Sequence, residues 1–184
     1  MTSALSPENK RKAGHYEVVG ETLAKYEFYE AGWNPYERFL DIDKTDIILR
    51  KRIGSKIEYR EIQVKFGKLY DLSFKWEQAL FDRTSWRFFK PDEFSELKGR
   101  KDFFIAYVLA HDSGYKSDFF IFSALEFHNL IASAIPSKAK MKVYLSRSKH
   151  NPEKWFLRRK SYFKEISEET CVDVSHHRRA FQKL

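Results

Sequence analysis

The chain reads as a single α/β domain built on one mixed central sheet with helices on its flanks. Three observations predict this class. Residues 15–31 carry a helical apolar period. Residues 46–66 hold two alternating segments around Gly54-Ser55, the pattern of a β-hairpin. Two apolar runs, 102–110 and 117–123, separated by the turn residues Asp112-Ser-Gly114, read as adjacent buried strands. Taken with the rest of the chain, the order is α-β-β-(α)-β-β-α, which suits a sheet sandwiched by helices.

Residues 1–13 are polar and read as a flexible N-terminus, leaving 14–184 as the single domain. Along 15–31, the residues Val18, Val19, Thr22, Leu23, Tyr26 and Tyr29 fall on one helical face, with Glu21, Lys25 and Phe28 on the line beside it. Gly32 suits the helix C-terminus. Gly32-Trp-Asn-Pro35 reads as a turn, and Phe39-Leu-Asp-Ile42 as a short strand or loop. Residues 69–82 are ambiguous, with Leu72, Trp76 and Leu80 hinting at a helix. Ala124–Ile135 reads as a helix stopped by Pro136. Residues 142–146 and 154–158 read as short strands around Asn151-Pro152, and 161–184 as largely helical.

The chemistry is concentrated in the hairpin. Strand side chains alternate, so Glu61, Gln63 and Lys65 share one face of Tyr59–Lys65, while Ile62 and Val64 share the other. A lysine and an amide beside a carboxylate are an unusual load for a buried strand. Asp46 opens the preceding strand, so one end of the hairpin gathers an acid, an amide oxygen and a lysine. Such a set can hold a hard divalent cation and orient a water. Each residue also has a plainer reading. Glu21 suits a solvent-facing helix acid paired with Lys25. Asp46 suits a turn acid, with Asp41 and Asp43 as rivals, and Lys65 suits an edge-protecting lysine.

Glu21, Asp46 and Gln63-Val-Lys65 together resemble the PD-(D/E)xK nuclease superfamily, the fold of restriction endonucleases and Holliday-junction resolvases, in its Q-x-K variant. The resemblance covers roughly the first 70 residues. It departs from the family pattern at Gln63, a neutral amide, and in lacking the literal Pro-Asp. It implies a restriction-endonuclease-like sandwich and metal-dependent hydrolysis of DNA phosphodiesters. Glu21, Asp46, Gln63 and Lys65 would be catalytic. Asp46, Gln63 and the Val64 carbonyl would hold Mg²⁺ or Mn²⁺. By analogy the protein would work as a homodimer, each subunit cutting one strand. A nucleic-acid-binding module with weak or no catalysis fits the same residues, and so does a partner-binding protein with a merely basic surface.

The composition supports a nucleic-acid partner. The net charge is +8 over 184 residues. Residues 1–137 hold 21 basic and 21 acidic side chains, whereas 138–184 hold 13 and 5, so the excess lies in the last quarter. Lys142, Arg147, Arg158, Arg159, Arg178 and Arg179 are the candidate phosphate contacts there. A lone cysteine, Cys171, excludes an intramolecular disulfide and a multi-cysteine zinc site, and reads as a packed residue. His176-His177 reads as surface or phosphate contact; His15, His111, His128 and His150 have no metal-ligand spacing. No window is long and apolar enough to span a bilayer, and Met1–Lys10 lacks a signal-type apolar core. These features lead to the expectation of a cytoplasmic protein without membrane partners.

Overall fold

The computed structural model describes residues 7–37, 44–134, 139–159 and 171–184. The chain is mixed α/β, as its patterning implies, but it builds two sheets where the sequence predicts one. The first sheet has the order β1-β2-β3-β6-β7. Its strands are β1 (Asn34–Glu37), β2 (Ile47–Ile53), β3 (Lys56–Lys68), β6 (Phe103–His111) and β7 (Gly114–Ser123). It is mixed, because β3 and β6 pair in parallel and its other neighbours are antiparallel. The second sheet is antiparallel throughout, in the order β10-β9-β8-β5-β4. It contains β4 (Tyr70–Asp71), β5 (Phe81–Phe89), β8 (Met141–Ser148), β9 (Trp155–Arg159) and β10 (Val172–Asp173).

Two apolar layers hold the domain together. Between the sheets, Ile105, Tyr107, Leu109, Phe120 and Phe122 face Val143, Leu145, Trp155 and Leu157. Phe127 and Ile131 of α3 (Ala124–Ala134) close the same layer. The alternate residues Phe104, Ala106, Val108, Phe119 and Ile121 face α1 (Pro7–Glu30), where Ala24 and Phe28 meet them. Both faces of β6 and most of β7 are buried, which explains their near-continuous apolar sequences.

Helix α1 corrects two sequence expectations. It begins at Pro7, so residues 7–13 are helical, and its buried stripe is not the predicted one. Val18, Tyr26 and Tyr29 are exposed, while Gly20, Ala24, Glu27 and Phe28 face the sheet. The small residues set the contact: a Cβ at Gly20 would lie 2.8 Å from the Phe66 Cβ. Glu27 is buried because Arg179 (2.7 Å) and the Tyr115 hydroxyl (2.6 Å) satisfy its carboxylate. Gly32 ends the helix as expected, with φ +80° and the Trp33 N–H donating to the Phe28 carbonyl.

Elsewhere Asn34-Pro35 belongs to β1 and not to a turn; β1 is a sheet edge, where proline is tolerated. The ambiguous stretch 69–82 resolves into β4, the short helix α2 (Lys75–Leu80) and the start of β5. The helical expectation for 161–184 fails over its described part. Residues 171–184 form β10 and two 3-10 turns at Ser175–His177 and Phe181–Lys183. Val174, His177, Ala180 and Phe181 imitate a helical period, but Arg179 between the turns has φ +50°. Phe39–Ile42 with Asp41, Asp43, and Pro136 lie outside the described residues. No described helix is long and apolar enough to cross a membrane.

Candidate active site

The site forms where β2 leaves β3. Pairing between the two strands ends at Ile47 with Ile62, and Asp46 then donates its N–H to the Ile62 carbonyl at 2.9 Å. Beyond that point no described strand pairs with the β2 side of β3. The Val64 N–H, which the ladder no longer satisfies, donates to Asp46 Oδ2 at 2.6 Å. Asp46 is thus fixed against β3 by main chain and side chain together. A cleft of about 440 Å³ wraps this edge, lined by Tyr16, Glu17 and Glu21 of α1, by Val64, Lys65, Phe66 and Lys68 of β3, and by Tyr70 and Arg87.

Glu21 enters from the helix side. Its carboxyl is held above the usual range, first by partial burial and then by the charge of Asp46. Lys65 enters from the side facing the second sheet and is 8% exposed. Burial depresses its pKa most, followed by the Arg87 guanidinium; Glu93 and Asp46 act in the opposite sense. Its ammonium is 3.7 Å from Glu93 Oε1 and 5.6 Å from the centre of the Phe94 ring. Asp46 therefore acts electrostatically on both Glu21 and Lys65. Gln63 is 8% exposed, and among the described residues nothing donates to its buried Oε1. Neither Asp46 nor Gln63 lines the cleft itself; each lies next to its wall at Val64.

The donor set can be tested against a metal. Among the described residues no group of three or more His, Cys, Asp or Glu side chains could hold one. What the site offers is two mutually repelling carboxylates and an amide oxygen lacking a hydrogen-bond donor. These are hard oxygen groups, suited to Mg²⁺ or Mn²⁺ and ill suited to a soft cation. A cation bound beside Asp46 and Glu21 would relieve their mutual repulsion.

The predicted phosphate contacts divide. Lys142 stands on β8 with its ammonium 4.0 Å from the Trp86 ring centre. Arg147 is paired with Asp82 through Nη2 at 2.5 Å. Arg178 is paired with Asp118 and Glu153, and Arg179 with Glu27. Arg158 is corrected outright: it is 5% exposed and paired with Glu77 at 2.6 Å, beneath α2. Arg159 lies on β9, and its side chain is outside the described set. His177 is likewise not a surface residue. It is buried against Phe122 at 4.2 Å, and burial pushes its pKa down to about 4.

Sequence reasoning missed Arg87, Lys68, Tyr16 and Tyr70 as cleft residues. Arg87 was hidden because β5 was not recognised as a strand; Phe66-Gly-Lys68 merely continues β3 beyond the motif. Compared with known proteins, the chain matches no family model, no curated protein and no solved structure.

Proposed function

We propose that this chain is a metal-dependent DNA endonuclease whose site is of the PD-(D/E)xK kind in Q-x-K form, on a restriction-endonuclease-like first sheet. The observation that carries the reading is the position of Asp46. It is anchored on the Val64 N–H of β3, and its charge acts on both Glu21 and Lys65. Asp46, Gln63 and the Val64 carbonyl would hold the cation, with Glu21 as an outer acid. A bound Mg²⁺ or Mn²⁺ supplies charge neutralisation at the scissile phosphate and a more acidic water.

The protein's own groups do the rest. Lys65 places a buried positive charge at the cleft wall, where a low dielectric strengthens its pull on a phosphoryl oxygen. Its ammonium also donates to the attacking water and orients it. Arg87 adds a second cation beside it, and Lys68 a third at the rim. These offset the repulsion that Glu17, Glu21 and Asp46 exert on a phosphate. One cleft cuts one strand, so duplex cleavage takes two copies.

A second reading, a binding module with weak or no catalysis, is favoured by one observation: the described acids do not cluster in threes around any metal position. Nicking of supercoiled plasmid separates the two. The first reading expects relaxed circles with Mg²⁺ or Mn²⁺, none with chelator, and none from Lys65→Ala. Plasmid retained on the wild-type chain yet intact with either cation would establish the second.

A further inference from the structure

The outer face of the second sheet carries a feature that the cleft chemistry leaves unused. Trp86 and Phe88 alternate along β5 with Arg87, so Arg87 turns inward to the cleft and the two rings turn outward. Tyr70 of β4, which also lines the cleft, stands beside Trp86 at 6.5 Å between ring centres and 17° from parallel. Phe88 follows Trp86 at 5.9 Å. The three rings are 40%, 39% and 43% exposed. They make a row that starts in the cleft and runs away from it.

The row is lined by cations. Lys68 lies 5.6 Å from the Tyr70 ring, Lys142 5.5 Å from Phe88 as well as over Trp86, and Lys140 5.9 Å from Phe88. Lys68 is paired with Asp112, but among the described residues Lys140 and Lys142 have no carboxylate partner. A second copy of the chain would bring the same lysines and be repelled. A duplex offers these rings only sugar and phosphate, because its bases are stacked inside. Unpaired bases are the groups that stack on exposed rings while their phosphates take up lysines.

Resting on the nuclease reading, we propose that the row Tyr70–Trp86–Phe88 is a stacking platform for single-stranded DNA leaving the cleft. The substrate would then be a branched or frayed DNA with an unpaired arm, its bases on the rings and its phosphates on Lys68, Lys140 and Lys142. The rings have sequence-tolerant π-faces, so the platform reads strandedness and not base identity.

Anisotropy of labelled oligothymidine and of a blunt duplex of equal length, titrated with the full chain, tests this. Trp86→Ala should weaken oligothymidine binding on the order of tenfold, and Trp86→Ala with Phe88→Ala by on the order of a hundredfold. Duplex binding should not change. Trp86→Phe should keep the affinity but lose the quenching of tryptophan fluorescence that the oligonucleotide causes. Lys140→Ala with Lys142→Ala should flatten the salt slope by about 1.4, at roughly 0.7 per phosphate on a single strand. Unchanged oligothymidine affinity in the double ring variant overturns the proposal. So does an equal loss on duplex, or tighter binding of the matched RNA than of DNA. Plasmid nicking distinguishes the two levels. A wild-type chain that binds through the rings yet never nicks overturns the nuclease reading and supports the platform by itself.

Discussion

Arg158→Ala should destabilise the domain without weakening its affinity for DNA. The guanidinium donates through Nη2 to Glu77 Oε1 at 2.6 Å and through Nε to Ser146 Oγ at 3.0 Å. It lies 4.6 Å from the Tyr144 ring centre and 5.2 Å from that of Phe81. Its side chain is 3% exposed and that of Glu77 is 11% exposed. Removing one member of such a pair strands the other charge in a poorly solvated place, at a cost of about 3–5 kcal/mol. For a domain of this size each kcal/mol lowers Tm by about 2–4 °C, so the expected fall is about 6–20 °C. Glu77→Met with Arg158→Met, which removes both charges and keeps most of the volume, should recover most of the loss. Urea and thermal denaturation of the two single variants and the double give the coupling energy. DNA affinity, measured well below the lowered Tm, should stay at the wild-type level. An Arg158→Ala chain that melts like wild type but binds DNA more weakly would refute this and restore Arg158 to the phosphate contacts.

Three further outcomes follow from the structure. His177 has its folded pKa depressed to about 4 by burial and by Lys183 and His176, against Glu126, so the unfolded chain alone takes up a proton between about pH 6.5 and 4. Stability is therefore fully present above that window and falls through it by up to about 3 kcal/mol; urea midpoints at pH 7 and 5 should show the fall, and His177→Gln should abolish it. Arg87→Ala removes a charge that holds the Lys65 pKa down. Cleavage should slow, and the alkaline limb of its pH–rate profile should move to higher pH. Gly67→Ala would place a Cβ 2.4 Å from Ser85 Oγ and 2.7 Å from Leu109 Cδ2, between the two sheets. Overpacking of this kind should cost about 1–3 kcal/mol in urea denaturation.

The first sheet was largely legible in the sequence because its strands obey simple rules. Ile62 and Val64 against Gln63 and Lys65 give the alternation of β3, Gly54 gives the turn with φ +59°, and Phe103–Leu109 gives a strand buried on both faces. The residues proposed for the site stand out for the same reason: Asp46, Gln63 and Lys65 belong to one hairpin, and only Glu21 comes from a distant element. The second sheet was not legible as a sheet. Its β5 carries a register shift between Phe81 and Arg83 that breaks the alternation, and its partner β8 is some fifty residues away in sequence. Charge counting failed at Arg158 because a net excess says where cations lie along the chain, not which of them are buried with a partner. The helix face failed because Gly20 and Ala24 bury their backbone, a contact that a hydrophobicity pattern does not weigh.

The central claim is that Asp46, beside the cleft wall, and Lys65, in it, act as one catalytic unit. Single-turnover cleavage of branched DNA in Mg²⁺ by Asp46→Ala, Lys65→Ala and the double variant tests it most directly. Groups that act as a unit are strongly non-additive. The account predicts that each single variant loses nearly all activity and that the double is no slower than the worse single. Wild-type rates in either single variant, or losses that simply multiply in the double, would contradict it.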